Sequence, residues 1–160
     1  MVFFHPKAIY LVKINIGDAM SLTTKEFYSK LENLPEVATF VKGVMSELGC
    51  AQAMISSIDI AVEEVYVNIA SYAYDENASS KPVWVGCGAS DGDFVLEFRD
   101  EGVPYDPLQN DDPETEDPMK MTIGGYGIFM VKTIADEVTY KYDQEKKQNI
   151  LTIKKKMEHE

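Results

Sequence analysis

The stretch Ile60-Ala-Val-Glu-Glu-Val-Tyr-Val-Asn-Ile-Ala-Ser-Tyr-Ala-Tyr74 sets a carboxylate and an amide into an otherwise greasy helix, predicted over about residues 58 to 74. With one residue every ~100°, Ala61, Val65, Ile69 and Tyr72 fall to one side and Ile60 and Val67 to the other. Glu64 and Asn68, one turn apart, occupy the strip between these two sides. Burying an unpaired amide costs about 1 to 3 kcal/mol, and burying a charge costs more. A solvated helical face commonly carries Glu and Asn at this spacing with no further meaning. Apolar residues on both flanks argue instead for a pair that something must satisfy.

Downstream of this helix, Val83 to Ser90 and Asp93 to Arg99 flank Asp91-Gly92, a type I′ turn pair, and Phe94, Leu96 and Phe98 alternate with Val95, Glu97 and Arg99. The pattern predicts a hairpin with one apolar face. It runs into Asp100-Glu101-Gly102, which by itself is also what a plain turn looks like. Four prolines, Pro104, Pro107, Pro113 and Pro118, then punctuate an acidic segment, and residues 106 to 121 are expected to form a loop with no regular structure. Gly124-Gly125-Tyr126-Gly127 opens a further helix with Ile128, Val131, Ile134, Ala135 and Val138 as its apolar set. Three glycines in four residues before such a helix suit close approach of backbone N–H groups to a phosphate, although a flexible loop would show the same composition. Two closing strands are expected around Val138 to Tyr142 and Asn149 to Lys154.

Upstream, Asn33 followed by Pro35 and Glu36 has the form of a capping box. Val37, Phe40, Val41, Val44 and Leu48 continue it as an amphipathic helix that Gly49 ends. One strand is expected within Leu22 to Leu31 and another over Ala8 to Ile16. Met20 is a possible alternative start, so residues 1–20 are assigned as an N-terminal extension with a possible extra strand, and residues 21–160 as the domain. Three helices against a mostly antiparallel sheet make an α+β two-layer sandwich with helices on one face.

The 160 residues suit one core and are 45% apolar and 26% charged, the composition of a globular chain. No apolar run reaches the ~18 residues of a membrane span, and Met1 to Tyr10 lacks the apolar stretch of a secretory signal, so a cytoplasmic location is expected. Cys50 and Cys87 with His5 and His159 make neither a disulfide framework nor a zinc site. A net charge of −12 disfavours nucleic acid and anionic membranes as partners. It leaves room for a phosphorylated small molecule held by a metal ion and backbone N–H groups.

Taken in order, these segments resemble the GHKL (Bergerat-fold) ATPase superfamily, and within it the anti-sigma factor serine/threonine kinase branch. Leu31 to Val37 with the following helix is similar to that branch's first helix, Ile60 to Tyr74 to its N box, Phe98 to Pro107 to its G1 box and Gly124 to Val138 to its G2 box. The resemblance implies ATP and Mg²⁺ as cofactors. It implies that Asn68 binds Mg²⁺, that Glu64 is the general base, and that Asp100 accepts a hydrogen bond from the adenine amino group. Gly102 lets the backbone pass under the base, while Gly124, Gly125 and Gly127, with Ile128 following, form the phosphate-binding turn. The acidic loop becomes a lid. Pro104 and Tyr72 depart from the usual pattern, which often has glycine and histidine there.

By the same resemblance the chain sequesters a sigma factor and phosphorylates an anti-sigma antagonist protein on Ser or Thr, with a homodimer as a possible assembly. Within the lid segment, Asp111, Asp112, Glu114, Glu116 and Asp117 surround Lys120, its one cation, and would repel phosphates. This keeps open an alternative, a partner-switching binding module that retains the fold without catalysis. The ATP domain of a sensor histidine kinase is the weaker third reading, since no helix with a phosphoacceptor histidine is evident.

Overall fold

A computed structural model describes residues 9–14, 20–78, 81–109 and 125–159. The described chain runs β1 (Ile9–Ile14), β2 (Met20–Tyr28), α1 (Leu34–Glu47), α2 (Gln52–Tyr72), β3 (Pro82–Ser90), β4 (Asp93–Asp100), α3 (Gly125–Ile134), β5 (Glu137–Asp143) and β6 (Gln148–Lys156). The strands form one antiparallel sheet in the order β1-β2-β3-β4-β6-β5. Phe27, Val83, Val85, Cys87, Phe94, Leu96 and Phe98 share one core with Val37, Val41 and Met45 of α1, Ile58, Val62, Val65 and Tyr66 of α2, and Val131 of α3. All three helices therefore lie against the same face. Val95, Ile150 and Leu22 are also buried but stand outside that cluster, on the alternate positions of their strands.

Local chemistry sets the β3–β4 hairpin, where Asp91 and Gly92 both adopt positive φ (50° and 84°), as a type I′ turn requires. Ser90 pairs with Asp93 across the turn, which fixes the register that puts Phe94, Leu96 and Phe98 inward. At the end of α1, Gly49 takes φ +74°, its N–H donates to Ser46 O at 3.1 Å, and the Cys50 N–H donates to Met45 O at 3.1 Å. This is the Schellman arrangement expected of that glycine.

Other expectations need correction. Asn33 does not cap α1 through its side chain, because a 3₁₀ turn (Leu31–Asn33) runs straight into the helix and gives Asn33 helical backbone angles. Its amide Nδ2 instead donates to Tyr28 O at 2.7 Å. Helix α2 begins at Gln52 rather than near Ile58 and ends at Tyr72 rather than Tyr74. Its start is fixed by tertiary contacts, with the Ala51 N–H donating to Glu158 O at 2.7 Å and Cys50 bridging to His159. Pro107–Gln109 is a 3₁₀ turn organised by Asp106, not irregular chain. The remainder of the expected loop, residues 110–121, lies outside the described residues. Strands β5 and β6 begin and end one or two residues beyond their expected limits.

Candidate nucleotide site

Glu64 and Asn68 are half-buried on α2, flanked on one side by the buried Ala61, Val65 and Ile69. The opposite flank is more open than its apolar sequence suggests, for Ile60 is 43% exposed, and on the buried side Tyr72, at the last turn of α2, is 64% exposed. Neither Glu64 nor Asn68 has a hydrogen-bonding or ionic partner among the described residues. Burial, and next the neighbouring Glu63 charge, push the Glu64 carboxyl above the usual carboxylate range. The Glu64 side chain lies directly against Gly127 in the first turn of α3, where a Cβ would collide with Oε2 and stand 3.3 Å from Cδ. A carboxylate is thereby held at the mouth of the glycine-opened helix.

The second cluster is built where β4 ends. Asp100 is 7% exposed, and its Oδ1 accepts hydrogen bonds from the Gly102 N–H (2.9 Å) and from Asn149 Nδ2 (3.0 Å). Burial raises its pKa, and these two bonds oppose the rise. Oδ2 has no partner among the described residues. Gly102 packs against the end of α2, since a Cβ there would come within 2.7 Å of the Ala73 carbonyl carbon and 2.9 Å of its Cα. The Val103 N–H donates to Ala73 O at 3.2 Å. The glycine is thus required by a backbone crossing.

Two residues essential to this corner were not anticipated from the sequence. Asn149 on β6 is 7% exposed, and its Nδ2 reaches Gly102 O (3.2 Å) and Val103 O (3.1 Å) as well as Asp100. Its Oδ1 accepts from the Tyr105 N–H (3.1 Å) and the Tyr140 hydroxyl (2.5 Å). Tyr74 accepts at its hydroxyl from the Glu101 N–H (2.6 Å) and donates to Pro82 O. Its burial raises the phenol pKa well above the ordinary value. An asparagine inside a strand and a tyrosine just past a helix gave no motif to find. The buried polar demand of an Asp at a strand end was the one available signal.

Helix α2 joins the clusters. Glu64 lies at Gly127, Asn68 follows one turn on, and Ala73 meets the Asp100–Gly102 corner. The nine steps from Glu64 to Ala73 span about 13.5 Å at a helical rise of ~1.5 Å per residue. Along α2, then, a half-buried carboxylate stands beside the opening of α3 and a buried carboxylate meets the helix's C-terminal end, the kinds of group that a nucleoside triphosphate site uses. Gly125 starts α3, Ile128 is 4% exposed beneath the first turn, and Gly124 lies outside the described residues. Among the described residues no group of three or more His, Cys, Asp or Glu could enclose a metal. Asn68 offers a single neutral oxygen with no competing partner, which fits Mg²⁺, an ion that draws most of its ligands from water and phosphates.

The histidine kinase-like ATPase domain model matches residues 27–155, a range that includes both clusters and all three helices. The chain belongs to this family. It is 28% identical over 104 residues to the serine-protein kinase RsbW of Oceanobacillus iheyensis, covering 61% of this chain and 65% of that protein. With RsbW of Listeria innocua it shares 26% identity over 121 residues, covering 65% and 69% of the two chains. RsbW of Halalkalibacterium halodurans is 26% identical over 124 residues, with 72% of each covered. The crystal structure of the RsbU and RsbW domains of Rv1364c from Mycobacterium tuberculosis superposes with a TM-score of 0.59 at 14% identity, over 84% of this chain and 32% of that one, a likeness of fold. No helix among the described residues is long and apolar enough to cross a membrane.

Proposed function

We propose that this protein is an ATP-dependent protein serine/threonine kinase that acts as an anti-sigma regulatory factor, phosphorylating an antagonist protein and holding a sigma factor in the alternate state. The observation that carries the reading is the order along α2, with Glu64 at the glycine-opened end of α3, Asn68 next, and the buried Asp100 corner at the far end. The similarity to serine-protein kinases RsbW supports the choice of a protein hydroxyl as acceptor and of regulatory partners.

In this reading Asp100 reads the adenine amino group through Oδ2, while Asn149 and the Gly102 N–H hold Oδ1 and fix the carboxylate plane. Asn68 holds Mg²⁺, which supplies charge neutralisation on the phosphates when bound. The N–H groups of Gly125 and Gly127 and the α3 dipole face the phosphates. Glu64 orients the acceptor Ser or Thr hydroxyl and takes its proton as Oγ bonds to the γ-phosphorus. The bond from that phosphorus to the β,γ-bridging oxygen breaks, and ADP leaves with the bonding pair. Burial raises the Glu64 pKa, which makes its carboxylate a stronger base.

The test is transfer of label from [γ-³²P]ATP to a cognate antagonist by wild type and by Glu64→Gln. Wild type is expected to transfer and Glu64→Gln to lose at least ~100-fold, the low end for a general base. No transfer by either protein would remove the kinase assignment and leave the binding module, and equal transfer by both would remove Glu64 as the base.

A further inference from the structure

Gly127 is buried, helical and in contact with the Glu64 side chain, yet its backbone does not need a glycine. Among the described glycines only Gly49 and Gly92 take positive φ. A Cβ on Gly127 would collide with Glu64 Oε2 and sit 3.3 Å from Cδ and 3.6 Å from Cβ of the same side chain. The obstruction falls on the rotatable end of one side chain, with no backbone among the nearest atoms. At Gly102, by contrast, the added atom would strike the Ala73 main chain. An alanine at 127 therefore leaves α2 and α3 packed as they are and turns the Glu64 carboxylate out of its place.

We infer that Gly127 is a positioning residue for the base: the space left by its missing side chain is the seat of the Glu64 carboxylate beside the first turn of α3. The inference rests on Glu64 being the base of the proposed transfer. It assigns this glycine a purpose separate from phosphate contact, because a backbone N–H at that position is available from any residue type except proline. The missing side chain governs the seat of Glu64, while the N–H that faces the phosphates is kept by alanine.

The experiment compares wild type, Gly127→Ala, Glu64→Gln, the double variant, and Gly43→Ala as a control on α1, where an added Cβ meets nothing within 4 Å. Gly127→Ala is expected to melt no lower than wild type, since alanine favours helix over glycine. Its Mg-ATP Kd by calorimetry stays within about threefold of wild type, while kcat falls ~100-fold or more, the worth of a general base. In the Glu64→Gln background the same change costs nothing further, because both substitutions remove one interaction. The independent readout is the pH titration of the Glu64 carboxyl ¹³C resonance without nucleotide. In Gly127→Ala its pKa should fall toward the ordinary carboxylate value as the group turns to water, and in Gly43→Ala it should stay put. An unchanged Glu64 titration in Gly127→Ala overturns the inference whether or not the protein is a kinase. So does a Kd that rises in step with lost activity, or losses that multiply in the double variant. A wild type that moves no phosphate, with the titration shifted as expected, would count against the kinase reading alone.

Discussion

Asn149→Asp places a second carboxylate about 3 Å from Asp100, in the position where Nδ2 now donates to Asp100 Oδ1 at 3.0 Å. At an effective dielectric near 20, two charges at that distance repel by roughly 5 kcal/mol, so one of them takes up a proton instead. Holding a proton at pH 7 on a group with an ordinary pKa of ~3.9 costs about 4 kcal/mol, at ~1.4 kcal/mol per unit. The pair's folded pKa is thus raised above the unfolded value. A raised carboxylate pKa means a penalty that is absent below the unfolded pKa and grows as pH rises toward the folded one. Urea unfolding of wild type and Asn149→Asp at pH 7 and pH 4 measures it. The expected deficit at pH 7 is this penalty plus the lost hydrogen bonds, ~5 to 6 kcal/mol, or about 15 °C in Tm for a chain this long. Near pH 4 it should shrink to the ~1 to 2 kcal/mol of the lost bonds to Gly102 O and Val103 O. A deficit equal at both pH values, or none at pH 7, would show that the Asp100–Asn149 contact does not hold this corner.

Gly102→Ala should destabilise the protein by roughly 1 to 3 kcal/mol, as overpacking against a backbone does, and a thermal melt against Gly127→Ala would separate the two glycines. Tyr74→Phe leaves the Glu101 N–H and Pro82 O without their shared hydroxyl, at an expected cost of ~1 to 3 kcal/mol in urea unfolding. Glu63→Gln removes the charge that, after burial, helps hold the Glu64 pKa up. The acid limb of the kcat–pH profile should therefore move to lower pH, and an unmoved limb would disconnect Glu64 from that limb.

Where local chemistry decides, the sequence alone sufficed. Asp91-Gly92 announced the hairpin, Gly49 the end of α1, and the 100° spacing of Ala61, Val65 and Ile69 the buried side of α2. Glu64 stood out because a charge sits in an apolar pattern that does not otherwise call for it, whereas Asp100 and Gly127 offered only a strand-end turn and a glycine run, and their roles came from the resemblance. The missed features depend on contacts between distant segments. The start of α2 is held by residues 158–159, and the side chain of Asn33 is drawn back to Tyr28 rather than used as a cap. Asn149 became visible only when β6 was seen paired with β4, with Asn149 opposite Asp100. The reason for each glycine was likewise hidden, since Gly102 answers to the Ala73 backbone and Gly127 to a side chain on another helix.

Calorimetric titration of ATP with and without Mg²⁺, on wild type and on Asn68→Ala, probes the site most directly. Tight binding that depends on Mg²⁺ in wild type, with the Mg²⁺-dependent part gone in Asn68→Ala, is the expected result. Binding that ignores Mg²⁺, or a Mg²⁺ dependence that survives loss of the Asn68 amide, would contradict the placement of the triphosphate along α2.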